Sequence, residues 1–418
     1  SDNRVMSLLF DSRGDLWIGT MAGGLNHLDT NSGTIRHFRH DPANPDSLAA
    51  DGVMSLMEDS EGRLWIGTYG AGVSVLDRDS GRFTHYGHDP ADDTSLSDGR
   101  ASVILQSADG AIWVGTFGAG INLFDAATGT FRRFSHEPED PGSLSENMVY
   151  AMHEDREGGL WIGAAGGGLD RAIRSADGSD IERFENLSRA NGLPSDDIYG
   201  IQSDAGGHLW LSTNFGLSRM NVASREVKTF HRSHGLQGEE FNYGAHHRGP
   251  DGRLYFGGTR GFNAFRPELV EESNYLPPVV LTSYSILGQP ATTDMPLGQL
   301  EHISLDYDDR VVSLGFAALD FTAPSRNQFS YQLEGFDANW IDLGNQRHVE
   351  LTNPDAGPYR LRVRAHSSDG PANEASFEIP IVMAAAPWAT SWAYGLYGML
   401  LMSFGYVGWR SHRQKYLR

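Results

Sequence analysis

One phrase returns along this chain at a nearly constant step. It reads Leu16-Trp17-Ile18-Gly19-Thr20, Leu64-Trp65-Ile66-Gly67-Thr68, Ile112-Trp113-Val114-Gly115-Thr116 and Leu160-Trp161-Ile162-Gly163-Ala164. Weaker copies follow at Leu209-Trp210-Leu211-Ser212-Thr213 and Leu254-Tyr255-Phe256-Gly257. Successive Trp/Tyr positions are 48, 48, 48, 49 and 45 residues apart. Flanking words keep the step: His40-Asp41-Pro42, His88-Asp89-Pro90 and His136-Glu137-Pro138, then Ser47-Leu48, Ser95-Leu96 and Ser143-Leu144. A period this long excludes leucine-rich and ankyrin units. Within the second copy the pattern predicts four short strands, Val53–Met57, Arg63–Gly67, Val73–Leu76 and Arg82–Tyr86, separated by Gly/Asp/Ser turns. Four antiparallel strands per unit make a propeller blade. The Trp is expected to pack between neighbouring blades, and the Gly two residues on to allow close backbone approach.

The fold class is therefore all-β: a β-propeller over residues 1–275 with six repeats visible, of which the sixth stops after its third strand. A propeller normally borrows such a missing strand from the other end of its chain, so upstream residues are expected to supply it. Ser1 opens directly into Val5–Phe10 with no signal peptide, which for a secreted protein implies a processed or truncated piece. The formal charge of −21 argues against a phosphate-binding surface, and nucleic acid is excluded as a partner. With no Cys, disulfide scaffolds, thiolate zinc sites and Cys nucleophiles are excluded as well. A Cys-free chain suits an oxidising compartment.

The repeated frame G-x-LWIGT-x-x-GG-L…LD…G-x-F-x-x-F-x-HDP…SL resembles the two-component regulator propeller repeat of bacterial membrane sensors, over residues 1 to about 270, and because propellers of that family usually have seven blades the resemblance implies about seven. Beyond Pro277-Pro278 the periodicity breaks, and Val311–Leu319, Gln328–Leu333, Tyr359–Ala365 and Ser376–Val382 read as strands. Arg362 and Arg364 alternate with Leu361 and Val363, as on a half-buried strand. About 100 such residues (276–383) predict an immunoglobulin-like β-sandwich. The words Phe329-Ser330-Tyr331-Gln332-Leu333-Glu334-Gly335-Phe336-Asp337, with Trp340, Gly357 and Tyr359, resemble the triple-tyrosine (Y_Y_Y) domain of the same sensors. The sequence departs from that family at Asp369-Gly370, which Pro371-Ala372-Asn373 follow where the family often has Trp.

Ile379 to Trp409 contains no charged residue. Trp392–Trp409 as a helix spans about 27 Å, close to the ~30 Å hydrocarbon core. Residues 387–409 are thus expected to form one C-terminal transmembrane helix. Trp388 and Trp392 mark one interface, Tyr406 and Trp409 the other. Residues 410–418 carry Arg410, Arg413, Lys415 and Arg418 and no acid. The positive-inside rule makes this tail the cytoplasmic juxtamembrane start, with propeller and sandwich periplasmic at the inner membrane. A single helix signals by moving against a second copy, so a homodimer is expected, with Gly395, Gly398, Ser403, Gly405 and Gly408 permitting close contact.

No catalytic constellation emerges, and no cofactor or metal is expected. The words Asp11-Ser12-Arg13-Gly14, Asp59-Ser60-Glu61-Gly62 and Ser107-Ala108-Asp109-Gly110 resemble the Asp-box turn of sialidase propellers. A turn is needed in every blade and a catalytic acid once, so these read as turns. His40, His88 and His136 recur at equivalent points of different blades and read as loop histidines. The His246-His247 pair lacks zinc-site spacing. What remains is a binding surface. In a blade, the loop before the innermost strand and the loop between the second and third strands share one face. Four residues after the Trp/Tyr stand Met21, Tyr69, Phe117, Ala165, Asn214 and Thr259. Thirteen before it stand Arg4, Gly52, Arg100, Met148, Asp197 and Asn242. Variation at a repeated position shows that the fold does not dictate the residue there. Tyr69, Phe117 and Phe215 are candidates to stack on a sugar or other flat ligand, with Arg100, Asp197, Asn214 and Asn242 offering hydrogen bonds. The competing reading is that the aromatics pack on one another across adjacent loops.

The resemblance implies an extracytoplasmic sensor region for a small molecule or glycan, with a histidine kinase as the missing cytoplasmic output. A diguanylate cyclase is the alternative output. A propeller glycosidase or polysaccharide lyase is the remote one.

Overall fold

The computed structural model describes residues 1–175, 180–270, 278–319, 324, 327–366 and 377–416. The chain divides into two units, Ser1–Glu271 and Glu272–Arg418.

In the first unit each repeat folds into one antiparallel sheet. Five sheets have four strands, and the sixth has three (Phe241–Arg248, Leu254–Gly258 and Gly261–Phe265). In the second repeat the strands run Val53–Glu58, Leu64–Thr68, Val73–Asp77 and Arg82–Tyr86, within a residue of the sequence pattern at each end. The described residues thus contain six blades of the propeller. The innermost strands of the first and sixth blades, Val5–Phe10 and Phe241–Arg248, line a cavity of about 1220 Å³ in which Leu8 and Phe10 stay exposed.

One packing rule joins each blade to the next. Trp17 is buried with Val53, Leu64 and Ile66 of the second blade. Trp65 packs with Ala101 and Ile104, Trp113 with Val149 and Met152, Trp161 with Ile198 and Ile201, and Trp210 with Phe241 and Phe256. The glycine two residues beyond is required by the same contact. A Cβ on Gly19, Gly115 or Gly163 would overlap Val53, Val149 or Ile198, the first buried side chain of the next blade's inner strand. Each indole is also pinned at its polar edge. Trp17, Trp65, Trp161 and Trp210 donate Nε1–H to Asp11, Asp59, Asp155 and Asp204 at 2.8, 2.8, 2.7 and 3.0 Å. The second oxygen of each carboxylate accepts two N–H groups of its own turn, as Asp59 does from Glu61 and Arg63. These aspartates are turn and indole anchors. Burial acts to raise the Asp59 carboxyl, but hydrogen bonds from Trp65 and Arg63 outweigh it and hold the group below its ordinary value.

The loop histidines have an equally structural place. His40, His88 and His136 each donate Nδ1–H to a carbonyl eight residues on (Leu48, Leu96 and Leu144; 2.7–2.9 Å), closing the same polar loop three times.

The second unit contains two facing sheets. One holds Val279–Ile286, Val311–Ala318 and His348–Thr352; the other holds Gln328–Glu334, Gly357–His366 and Phe377–Met383. Leu361, Val363 and Ala365 point into the shared core with Phe316 and Phe329. The intervening arginines point out. Arg362 pairs with Glu378 and Glu334 at 2.9 and 3.0 Å, and Arg362 and Arg364 lie over the Trp340 ring. The predicted departure at 369–373 lies outside the described residues.

The C-terminal expectation needs correction. A helix does form, over Ser391–Tyr416, after a separate short turn at Pro387–Ala389. Among the described residues, however, no helix is long and apolar enough to cross a membrane. Lack of charge is not the same as apolarity. Half of positions 392–409 are Gly, Tyr or Trp, which contribute little hydrophobic transfer energy.

The third blade supplies a test of the indole anchor. Ser107 replaces Asp there, and both Ser107 Oγ and Trp113 Nε1 are buried without a hydrogen-bond partner. Ser107→Asp should raise stability by about 1 kcal/mol, and Asp59→Ala should lower it by about 2–4 kcal/mol, in urea unfolding. A neutral Ser107→Asp would show that the anchor contributes nothing.

Candidate ligand face

The blade frame brings the two sets of variable positions together by main-chain bonds. The N–H of the residue four past the Trp meets the carbonyl of the residue at the head of the inner strand. Tyr69 donates to Gly52 (2.8 Å), Phe117 to Arg100 (3.0 Å) and Ala165 to Met148 (2.9 Å). The predicted residues therefore share one face but form separate groups. Tyr69 bridges to Arg100, whose guanidinium is held by Asp98 at 2.6 Å, and the Tyr69 and Phe117 rings are 6.3 Å apart. Asn214 donates Nδ2–H to Asp197 (2.8 Å) and accepts from Ser195 (2.7 Å), while the other Asp197 oxygen accepts the Gly166 N–H. Phe215 lies edge-on to His231 and is 53% exposed. Asn242 is exposed on the sixth blade's inner strand.

Phe117 is not free to receive a ligand on both faces. Its ring is 5.3 Å from Tyr243 and 6.3 Å from Tyr150, Tyr150 packs at 5.3 Å on Tyr243, and Tyr199 at 5.5 Å on Tyr150. The Tyr243 hydroxyl donates to the Ser102 carbonyl, three blades away in sequence. For Phe117, packing across blades is therefore the observed state, while Tyr69 keeps 48% of its surface exposed. Burial raises the Tyr150 and Tyr199 hydroxyls, and the nearby Asp197 carboxylate adds to it. These tyrosines escaped the sequence reading. Tyr150 and Tyr199 occupy the bulged position of their inner strands, eleven before the Trp, where other blades have Met6, Met54 and Ser102. The residue at that offset varies from blade to blade just as it does at the two loop positions, and that variation is the signal that marks them.

Metal-ligand types meet in one place among the described residues: Asp11, Asp15 and His27. Their atoms are already used. Asp11 accepts from Trp17 and, at 2.6 Å, from Arg78, and His27 Nε2 pairs with Asp15 at 3.0 Å. His246 is equally committed, its Nδ1 paired with Gln202 at 2.8 Å.

His246 sits on its inner strand where other blades carry Leu8, Leu56, Ile104, Met152 and Ile201. Burial, then the neighbouring His153 and His247, pushes it down to about 4. Burial likewise pushes His153 to about 4, against Asp155 and with help from Arg248. Both rings fold neutral, whereas an unfolded His titrates near ~6.5. The unfolded chain therefore binds more protons below ~6.5, so this contribution is complete above ~6.5 and is lost as pH falls toward 4. Urea unfolding should show stability declining by several kcal/mol over that window, and His246→Leu should flatten the decline. An unchanged slope in the variant would contradict the assignment.

Residues 1–22, 47–70 and 143–166 match the two component regulator propeller family, and residues 320–383 match the Y_Y_Y domain. A protein of B. thetaiotaomicron described as the extracellular domain of a hybrid two component system is 26% identical, with a TM-score of 0.78 over 92% of this chain and 50% of its own. A second B. thetaiotaomicron extracellular domain, of a one component system, shares the fold at 23% identity and a TM-score of 0.50, with 93% of this chain and 51% of its own covered. A curated protein of Formosa agariphila, histidine kinase P4, is 28% identical over 228 residues, 53% of this chain and 17% of its own length. The chain thus spans about half of those solved chains and under a fifth of that kinase. Three of its blades thus carry two component regulator propeller repeats, and a Y_Y_Y match follows them.

Proposed function

We propose that this chain is the extracytoplasmic sensor region of a two-component signalling protein, taking a small molecule or glycan on the propeller and passing the signal through the sandwich to a histidine kinase. The observation that carries the reading is the 26% identity, with a TM-score of 0.78 over 92% of the chain, to a domain described as the extracellular part of a hybrid two component system. The blade frame is fixed by indoles, glycines and turns, while the residues at the head of each inner strand change from blade to blade. Binding specificity has room there, and no catalytic group is needed.

The reading frame after codon 418 of the encoding gene tests the output. A dimerisation and phosphoacceptor-His domain followed by an ATP-binding domain is the expected result. A Gly-Gly-Asp-Glu-Phe word would replace the kinase with a diguanylate cyclase, and a glycosidase domain would overturn the reading. For the ligand, a thermal-shift screen of the 418-residue chain against oligosaccharides should give a stabilising hit that weakens at least tenfold in Tyr69→Ala. Tyr69 is the appropriate probe because its ring is half exposed, unlike that of Phe117. An unaltered response would move the site off this face.

Two copies of the chain would meet through the C-terminal helix in this proposal. Leu396, Met399, Leu400, Phe404 and Val407 are exposed along it, and Gly395, Gly398, Gly405 and Gly408 leave room for a neighbour. Because the chain has no Cys, single Cys substitutions across 395–408 can be cross-linked without background. Dimer yield should peak every three to four residues. A flat or absent yield would rule the helix out as the contact.

A further inference from the structure

The blades provide their own control for an unusual junction. At three successive junctions, the side chain ending one inner strand reaches back to the Asp-turn of the previous blade. There it accepts the N–H of the residue after the turn's Asp or Ser. Glu58 accepts from Ser12 (2.6 Å), Gln106 from Ser60 (2.8 Å) and Glu154 from Ala108 (2.7 Å). At the first junction an arginine completes the cradle. Arg78 bonds Asp11 at 2.6 Å and the Glu58 carboxylate with its other nitrogen.

At the fourth junction the acceptor is missing from the sequence. Ser203 holds the register position of Glu58, opposite Leu209 as Glu58 is opposite Leu64. Its side chain is too short to reach the Arg156 N–H on the fourth blade's turn. The cation is still supplied. Arg225 of the fifth blade lies 4.8 Å over the Trp161 ring, with Arg171 at 5.3 Å, and Arg225 Nη1 is buried without a hydrogen-bond partner. Asp155 accepts from Glu157, Gly159 and Trp161 as Asp11 does from its own turn and indole, but no bond from Arg225 joins them, and the carboxylate that pairs with Arg225, Glu185, stands 3.9 Å from its other nitrogen, beyond hydrogen-bond reach. A cavity of about 490 Å³ opens here, lined by Arg156, Arg171, Arg225 and Ser203 and also by the acids Asp155, Glu157 and Asp204 of the two turns.

A second, independent observation concerns the backbone. The turn carrying Arg225 closes with its N–H on the Asn221 carbonyl, as Gly33, Gly81 and Gly129 close theirs on Asp29, Asp77 and Asp125. Those glycines have φ of 70, 71 and 72°, and Arg225 has φ of 62°. An arginine thus occupies a left-handed position that three other blades give to glycine. Strain of this kind persists where the side chain is needed, and here it delivers a guanidinium to the cavity.

We propose that the junction between the fourth and fifth blades is a binding site for a carboxylate, which takes the place held by the Glu58 side chain at the first junction. The carboxylate accepts from the Arg225 guanidinium and the Arg156 N–H, with Arg171 beside it, the charge-assisted geometry for which arginine is suited. Burial of Arg225 and the like charge of Arg171 act against its protonated form and outweigh the support of Glu185 and Asp155, and such an anion relieves them. The site is separate from the Tyr69 face and does not rest on the sensor reading.

Thermal shift of the intact chain tests this, with sodium acetate, sodium glucuronate and neutral glucose as probes at ionic strength matched with sodium chloride. A carboxylate should give a saturable rise in Tm of about 2–4 °C at ten times its Kd, and glucose should give none. Acetate and glucuronate together would assign a simple carboxylate site, and glucuronate alone a sugar-acid site. Ser203→Glu installs the internal carboxylate, so its Tm should rise without any probe and the carboxylate response should vanish. Arg225→Met should also abolish the response, and it carries the test if the glutamate variant does not fold. No saturable response in the parent chain, or one that survives in Arg225→Met, would overturn the proposal.

Discussion

The indole of each blade, buried against the next blade and bonded at its Nε1–H to the aspartate of its own turn, is the interaction on which the rest of this chain depends. An indole contributes several kcal/mol by burial alone, about 3–5 when truncated to Ala. Its N–H would forfeit part of that if left unpaired inside. The Asp-turn resolves the conflict and, in the same step, closes the hairpin that delivers the indole. Because the Trp of one repeat is completed only by the inner strand of the next, a single repeat has no core of its own. The array is stable as a series of junctions.

That dependence separates the positions the fold dictates from those it leaves open. Trp65, Gly67 and Asp59 are fixed by the junction. Arg100, Asp197 and Tyr69 stand beside it and differ from blade to blade, as do Ser203 and Arg225 on the turn side. A repeat protein therefore carries an internal comparison that needs no relatives. Departures such as Ser107 for Asp or Ser203 for Glu can be read against three or four intact copies in the same molecule.

Much of the fold was legible for this reason. The Leu-Trp-Ile-Gly-Thr words placed the strands within a residue or two, and the Arg362/Arg364 alternation gave the inward face of a sandwich strand. The candidate site was legible only in part. Tyr150 and Tyr199 sit in bulges, which break the two-residue alternation, and Tyr243 falls one residue off the common spacing. Their meeting with Phe117 depends on the curvature of the array, which brings the sixth blade's inner strand back beside the third blade's and which no local pattern encodes. Arg225 was hidden by a one-residue shortening of its blade, which moves it out of step with Gly33, Gly81 and Gly129. At the C-terminus absence of charge was mistaken for apolarity, and the glycines and tyrosines of Ser391–Tyr416 carry the difference.

The proposal joining these observations is that a regular propeller, with variable side chains at its junctions, serves as the sensing part of a two-component kinase. Autophosphorylation of the full-length gene product in membrane vesicles measures it most directly. Labelled ATP should yield an acid-labile phosphohistidine whose level changes when residues 1–383 are deleted. Absence of phosphohistidine, or a level indifferent to the loss of those residues, would contradict the account.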